Sequence, residues 1–315
     1  MKNKILPVAL AAVMATAAFA GPTALAQDTA LAQDEGASVE AMSLFGEPLR
    51  AAAPSARMLE QYQQAKEAYE QSPSDALALI WYGRRTAYLG EYQKAIEIFS
   101  RGIEKHPKDA RMYRHRGHRY ISVREFDAAI ADLEAAAKLI AGQKNAIEPD
   151  GMPNKYNVPL TTTHGNIWYH LGLAYYLKQD FENAYRAFSE GHRISTNDDG
   201  TVSTAHWLYM ILRRLGREDE AEAILEDIHP GMTILENGDY LRLCLFYKGD
   251  LSEEGLGEIS ANTPGGSAAA YGLANWYYYT GQQDKSDLLL EEILTGSSWS
   301  AFGYIAAEAD LAARR

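Results

Sequence analysis

Small and aromatic residues return along this chain at intervals of 34. Gly83 and Gly117 stand 34 apart, as do Ala95 and Ala129, and Phe99 and Leu133. In each copy a segment of helical period carries the glycine. A turn follows, and then a second segment carries Ala-x3-Phe/Leu. A unit of this size cannot bury its apolar face alone, so copies must stack, and at least three are needed. A third copy appears at Gly172, Ala184 and Phe188. The packing logic is simple. The small residue of the first helix admits the second helix closely, the alanine fills the same contact from the other side, and the aromatic ring closes the gap.

The third copy reads Trp168-x2-Leu171-Gly172-x2-Tyr175, then Ala184-x3-Phe188. This resembles the tetratricopeptide repeat, and Pro107 ends the first copy where that family places proline. The resemblance covers roughly 59–295. It implies an all-α helical-hairpin solenoid, a right-handed superhelix of about five to six repeats plus a capping helix, whose first helices line a concave groove. The pattern is clear in three units and weaker later. Residues 202–228 match through Leu212, Gly216, Ala221 and Leu225, with Tyr209 in place of the small residue. Residues 237–256 match only through Lys248-Gly249-Asp250-Leu251, and 268–293 through Ala274, Tyr277, Gly281 and Leu290. A leading helix is expected at 59–71 and a capping helix at 298–315.

Ahead of the repeats, Lys2 and Lys4 precede an apolar run from Ile5 to Phe19 and two A-x-A sites. That is the form of a signal peptide over 1–26, cut after Ala20 or Ala26, and the run is too short for a comfortable membrane span. The expected product is exported, periplasmic or secreted, and not membrane-spanning after cleavage. Residues 27–54 read as a flexible leader. Within it, Ser43-Leu44-Phe45-Gly46-Glu47-Pro48-Leu49 is an apolar patch able to dock on the folded part. The solenoid is expected over 55–315. The single cysteine, Cys244, excludes a disulfide framework and reads as a buried thiol.

Gly117 and Gly172 are 55 apart, so an insertion falls at 141–163. Pro149, Pro153, Pro159 and Asp150-Gly151 bar a continuous helix there, and Thr161, Thr162 and Thr163 offer caps for the next one. A loop of this length is either solvated or functional, and an ordered flap at the groove mouth is expected.

The net charge is −12, yet Arg111 to Tyr120 reads R-M-Y-R-H-R-G-H-R-Y. In the tetratricopeptide family, particular positions of the first helices face the groove. Carried onto this sequence, they are Ile80, Arg84 and Tyr88 in the first unit, and Arg111, Arg114 and His118 in the second. The third unit gives Asn166, Tyr169, Tyr176 and Leu177, and the fourth His206, Met210, Arg213 and Arg214. The resemblance thus implies a groove of Arg, His, Tyr and Asn, with Arg84, Tyr88, Arg111, Arg114, His118, Asn166, Tyr169, His206 and Arg213 as ligand contacts. Guanidinium forks suit carboxylate, sulfate or phosphate. The competing reading places Arg85, Arg116 and Arg119 away from the groove, paired with Glu125, Asp127 or Asp132.

No H-E-x-x-H, G-x-S-x-G or phosphate-binding loop occurs, and His115, His118, His164 and His170 lack a convincing third metal ligand. The sequence therefore points to a binding or scaffold protein with no cofactor or metal. Its expected partner is a protein, a peptide or a small anionic ligand. Nucleic acid is a poor fit to an acidic, exported chain. The rival readings are an enzyme with His118 as general acid or base, and a cell-envelope scaffold without a ligand pocket.

Overall fold

The computed structural model describes residues 38–257, 259 and 264–314. The expected signal peptide and the first part of the expected leader lie outside the described residues. Thirteen α-helices and one two-stranded hairpin make up the regular structure among the described residues. Helix α1 (Ala56–Gln71) leads. Hairpins follow: α2 (Ala76–Tyr88) with α3 (Tyr92–Lys105), α4 (Ala110–Ser122) with α5 (Phe126–Leu139), α6 (Thr163–Leu177) with α7 (Phe181–Arg193), and α8 (Asp198–Arg214) with the short α9 (Glu218–Ile224). Helix α10 (Gly238–Lys248) precedes only a 3-10 turn at Glu254–Leu256, which is why the fifth unit is so faint in sequence. Helices α11 (Pro264–Tyr279) and α12 (Gln283–Leu294) form the last hairpin, and α13 (Phe302–Arg314) caps the array.

Local chemistry starts these helices. The side chains of Asp75, Asp109, Thr162 and Asn197 accept from Leu77, Arg111, Gly165 and Gly200 N–H, so each satisfies one orphan donor of a first turn. Packing then follows the repeat. A Cβ at Gly83 would sit 2.5 Å from the Phe99 ring, and one at Gly172 2.5 Å from Phe188. Both rings are fully buried, and each contributes about 1.5–3 kcal/mol by leaving water. The glycines of the signature are thus the space into which the partner helix's aromatic fits.

The end of the expected flexible leader is ordered. Strand β1 (Val39–Met42) pairs antiparallel with β2 (Pro48–Arg50). Ala41 and Leu49 bury against Ile96, Val123 and Trp299. Buried Glu40 accepts from Gln93 N–H at 3.1 Å, and its own carbonyl accepts from Gln93 Nε2 at 2.9 Å. Apolar burial and satisfied polar groups hold this segment where its composition alone suggested a loose chain.

The hairpin also ties the two ends of the array together. Trp299 Nε1 donates to Arg50 O at 2.6 Å, and Leu44 N–H donates to Glu308 of α13. Glu308, 1% exposed, meets Arg124 from the α4–α5 turn at 2.5 Å. Asp310, equally buried, accepts from Gln179 Nε2 at 3.1 Å and Tyr271 OH at 3.0 Å, and pairs with Arg214. The cap therefore reaches back to the second and third units, and the stack closes on itself.

Candidate functional site

Helix α4 carries the basic stripe, and helical geometry divides it. Arg116 points outward into a bidentate pair with Asp132, both bonds at 2.7 Å, as the competing sequence reading held. Arg111 curls back onto the N-cap Asp109 at 2.6 Å and stays partly exposed. Arg114, His115, His118 and Arg119 turn the other way. Together with Arg84 and Tyr88 of α2 and Asn166 of α6, they wall a cavity of about 230 Å³.

The insertion roofs that cavity. Glu148 N–H donates to Thr161 O and Thr163 N–H to Ala146 O, both at 2.9 Å, so the loop's ends are pinned together. Arg84 Nη1 donates to Pro149 O at 2.8 Å and Arg85 Nη1 to Gly151 O at 2.9 Å. Gly151 has no room for a Cβ, which would collide with the Tyr88 hydroxyl. Asn154 donates to Glu236 Oε1 at 2.7 Å and Asn197 to Leu160 O at 2.8 Å, anchoring the outer half.

One carboxylate enters from the roof. Glu148, 5% exposed, places Oε1 3.3 Å from Arg114 Nη2, 4.0 Å from Arg84 Nη1 and 3.7 Å from His115 Nε2. Its Oε2 accepts from Asn166 Nδ2 at 3.1 Å. Arg114 Nη1 stands 2.7 Å from His115 Nδ1. A guanidinium only donates, so Nδ1 is the bare nitrogen and Nε2 carries the proton toward Glu148. Burial, and then the Arg114 charge, hold His115 well below the ordinary imidazole range, so it is neutral.

Beyond this cavity the closed stack brings in rings from distant units. His118 and His170 lie with centroids 4.3 Å apart, and Phe302 of α13 packs on both, at 5.3 and 5.6 Å. His170 Nδ1 donates to Asn166 O at 2.6 Å. Burial pushes both imidazoles far down, so this pair is uncharged at neutral pH. A second cavity of about 340 Å³ adjoins across Thr161 and Asn166, lined by Tyr169, His170, Tyr240 and Phe302. A third, of about 330 Å³, shares His118 and Arg119 with the first and Tyr240 and Phe302 with the second.

Of the nine residues expected in the groove, Arg84, Tyr88, Arg114, His118 and Asn166 meet in the roofed cavity, and Tyr169 lines its neighbour. The other three do not join them. Arg111 is held outside by Asp109. His206 is fully buried behind Tyr240, their rings 4.6 Å apart, with Tyr247 OH at 3.3 Å from its Nδ1, so it is a packed core imidazole. Arg213 pairs with Glu218 at 3.2 Å and lies over the Tyr279 ring. Sequence reasoning missed Arg119, expected to point elsewhere, because the family's groove positions pass over it. It missed Glu148, Tyr240 and Phe302 because no periodicity links them to the stripe. Among the described residues no cluster of His, Cys, Asp and Glu could hold a metal ion, and no helix is long and apolar enough to cross a membrane.

No family model and no curated protein matches the sequence. Among solved structures, the chain is similar to YrrB, described as a TPR protein with an unusual peptide-binding site. Identity is 17%, over 74% of this chain and 92% of that one, with a TM-score of 0.42. It is also similar to MamA, at 16% identity over 62% and 87% of the two chains with a TM-score of 0.42. Residues 41 to the end of MamA from Desulfovibrio magneticus RS-1 align at 18% identity over 54% and 82%, with a TM-score of 0.41. The chain's own units, glycine against phenylalanine or leucine in successive stacked hairpins, give it the fold of a tetratricopeptide-type helical solenoid.

Proposed function

We propose that this chain is a non-enzymatic binding module that receives an anionic group in the roofed cavity. The group would belong to an acidic peptide, a protein partner or a small ligand. The observation that carries this reading is a charge mismatch. Arg84, Arg114 and Arg119 line the cavity, and the one buried carboxylate among its walls is Glu148, offered by the roof. Asp150 sits at the rim, its carboxyl raised by burial. Guanidiniums held in a partly dry concave site attract oxyanions more strongly than exposed ones. Glu148 stands as a built-in occupant whose place a ligand's carboxylate could take. The signal-peptide form of residues 1–26 supports export. Cell fractionation tests that part, and retention of the chain in the cytoplasm would refute it.

The binding reading is tested by titrating a hexaglutamate peptide and its hexaglutamine counterpart. The acidic peptide binds at least tenfold more tightly, and Arg84→Gln removes that preference. Gly151→Ala lifts the roof from Tyr88 without changing charge, and alters the association rate. Equal affinity for the two peptides, or a preference that survives Arg84→Gln, overturns the reading.

A further inference from the structure

The third cavity has a composition that the roofed one lacks. Its walls come from both ends of the array: Tyr92, His118, Arg119 and Ser122 from the first two units, Ser300 and Phe302 from the cap. It is the seam where the closed stack meets itself. No acidic residue lines it, and Arg119 is its one full charge.

Arg119 is 9% exposed. Other arginines of comparable burial have partners: Arg124 holds Glu308, Arg214 holds Asp310, and Arg114 holds Glu148. Arg119 has no hydrogen-bond or ion-pair partner among the described residues. It is held only through its face, over the Tyr92 ring at 5.4 Å. Burial, together with the Arg114 and Arg84 charges, lowers it to about 10, which leaves it a cation at neutral pH. A largely buried guanidinium that meets no protein acceptor, yet lines an open cavity, can offer its fork to an oxyanion there. The neighbouring His118 is neutral, so no second cation competes for that anion.

We propose that this seam is a subsite for a tetrahedral oxyanion, the phosphate or sulfate group of a ligand, gripped by the Arg119 fork with the Ser300 hydroxyl beside it. The class follows from the donors. Arg119 and Ser300 bring donors to the same cavity and no carboxylate lines it, which suits a group with several terminal oxygens. Because the walls belong to opposite ends of the array, the bound anion also clasps the ring shut. The inference rests on the concave side being an anion receptor, and the two readings separate by variant, since Arg84 does not line the seam.

The test is thermal unfolding of the full purified protein in inorganic phosphate, sulfate and chloride at equal ionic strength. Line broadening of the phosphate ³¹P resonance gives affinity. Phosphate and sulfate are expected to raise the melting temperature where chloride does not. Arg119→Gln weakens phosphate binding at least tenfold, and Arg84→Gln leaves it within twofold. Should Arg119→Gln fail to fold, Arg119→Lys keeps the charge without the fork and is expected to bind several-fold more weakly, as is Ser300→Ala. A phosphate response no larger than chloride's overturns the proposal, as does one that persists unchanged in the Arg119 and Ser300 variants. Loss of hexaglutamate binding with phosphate binding intact refutes only the roofed-cavity reading.

Discussion

Replacing Glu308 by glutamine should open the ring. In the native chain Glu308 Oε2 lies 2.5 Å from Arg124 Nη2 and 3.1 Å from Nε, and Oε1 accepts from Leu44 N–H. Both residues of the ion pair are at least nine-tenths buried. Glutamine keeps the shape but removes the charge, and its amide nitrogen must face a donor on one side or the other. Stranding one partner of a buried pair costs about 3–5 kcal/mol. For a domain of this size each kcal/mol moves the melting temperature by about 2–4 °C, so a fall of roughly 6–20 °C is expected. The opposite half, Arg124→Gly, strands Glu308 instead but relieves Arg124's left-handed backbone, φ 68°, a gain of about 1–2 kcal/mol. It should therefore cost less than Glu308→Gln. The double variant should cost less than the two singles added, with a coupling of about 1–3 kcal/mol. Urea unfolding followed by tryptophan fluorescence measures all three, since Trp299 sits at the clasp with its carbonyl bonded to Arg124. Hydrogen exchange locates the loss, expected in α13 and the β-hairpin before α2 and α3. A Glu308→Gln cost under 1 kcal/mol, or strict additivity in the cycle, would refute the clasp.

Acid should destabilise the fold before its carboxylates titrate. His115, His118 and His170 are held well below the usual imidazole range by burial, and His206 is pushed down to about 3 by the same cause. The unfolded chain takes up protons near pH 6.5 that these folded imidazoles refuse, so their stability is fully present above 6.5 and is lost as pH falls below it. The slope is about 1.4 kcal/mol per pH unit for each imidazole. Urea midpoints at pH 7.5 and 5.5 measure it, and equal midpoints would contradict the burial of these rings. Cys244, fully buried with its thiol raised by burial, should react with a thiol reagent only on unfolding, at a rate that follows the denaturant curve; fast labelling in native buffer would disprove that burial. Glu148→Gln leaves Arg84 and Arg114 without a carboxylate, so stability should fall by about 3–5 kcal/mol in chloride. Affinity for hexaglutamate should rise several-fold, as calorimetry would show. Weaker peptide binding would mean that Glu148 builds the site rather than occupying it.

How far the sequence reached depends on how local each feature is. The stacked hairpins were legible because Gly83, Gly117 and Gly172 face Phe99, Leu133 and Phe188 within one unit, and the period repeats that contact. Arg84 and His118 were legible for the same reason, lying 34 apart at equivalent places on successive first helices. His206 has the register of Arg114, three places before the small position, but it and Arg213 lie in the fourth unit. There Tyr209 replaces the small residue, and stacked tyrosines rather than a groove surround them. Phe302 and Tyr240 reach the site only through ring closure, a contact between distant units that periodicity does not encode.

Closure nevertheless leaves a trace at one register. The residue seven places after each unit's small position turns the chain between its two helices with positive φ. Gly90, Gly216 and Gly281 fill it at 85°, 72° and 82°. Arg124 and Gln179 fill it at 68° and 61°, where a side chain costs about 1–2 kcal/mol. In both cases that side chain reaches the cap, Arg124 to Glu308 and Gln179 to Asp310. The glycines at this register reach nothing, because they carry no side chain to send. Both units that depart from glycine thus use the turn residue itself to hold α13, whereas the fourth unit, with Gly216 at its turn, reaches Asp310 through Arg214 on its first helix. Backbone strain at these two turns is offset by contacts to the cap, and the residues at the start of that cap, Ser300 and Phe302, wall the seam beside Arg119.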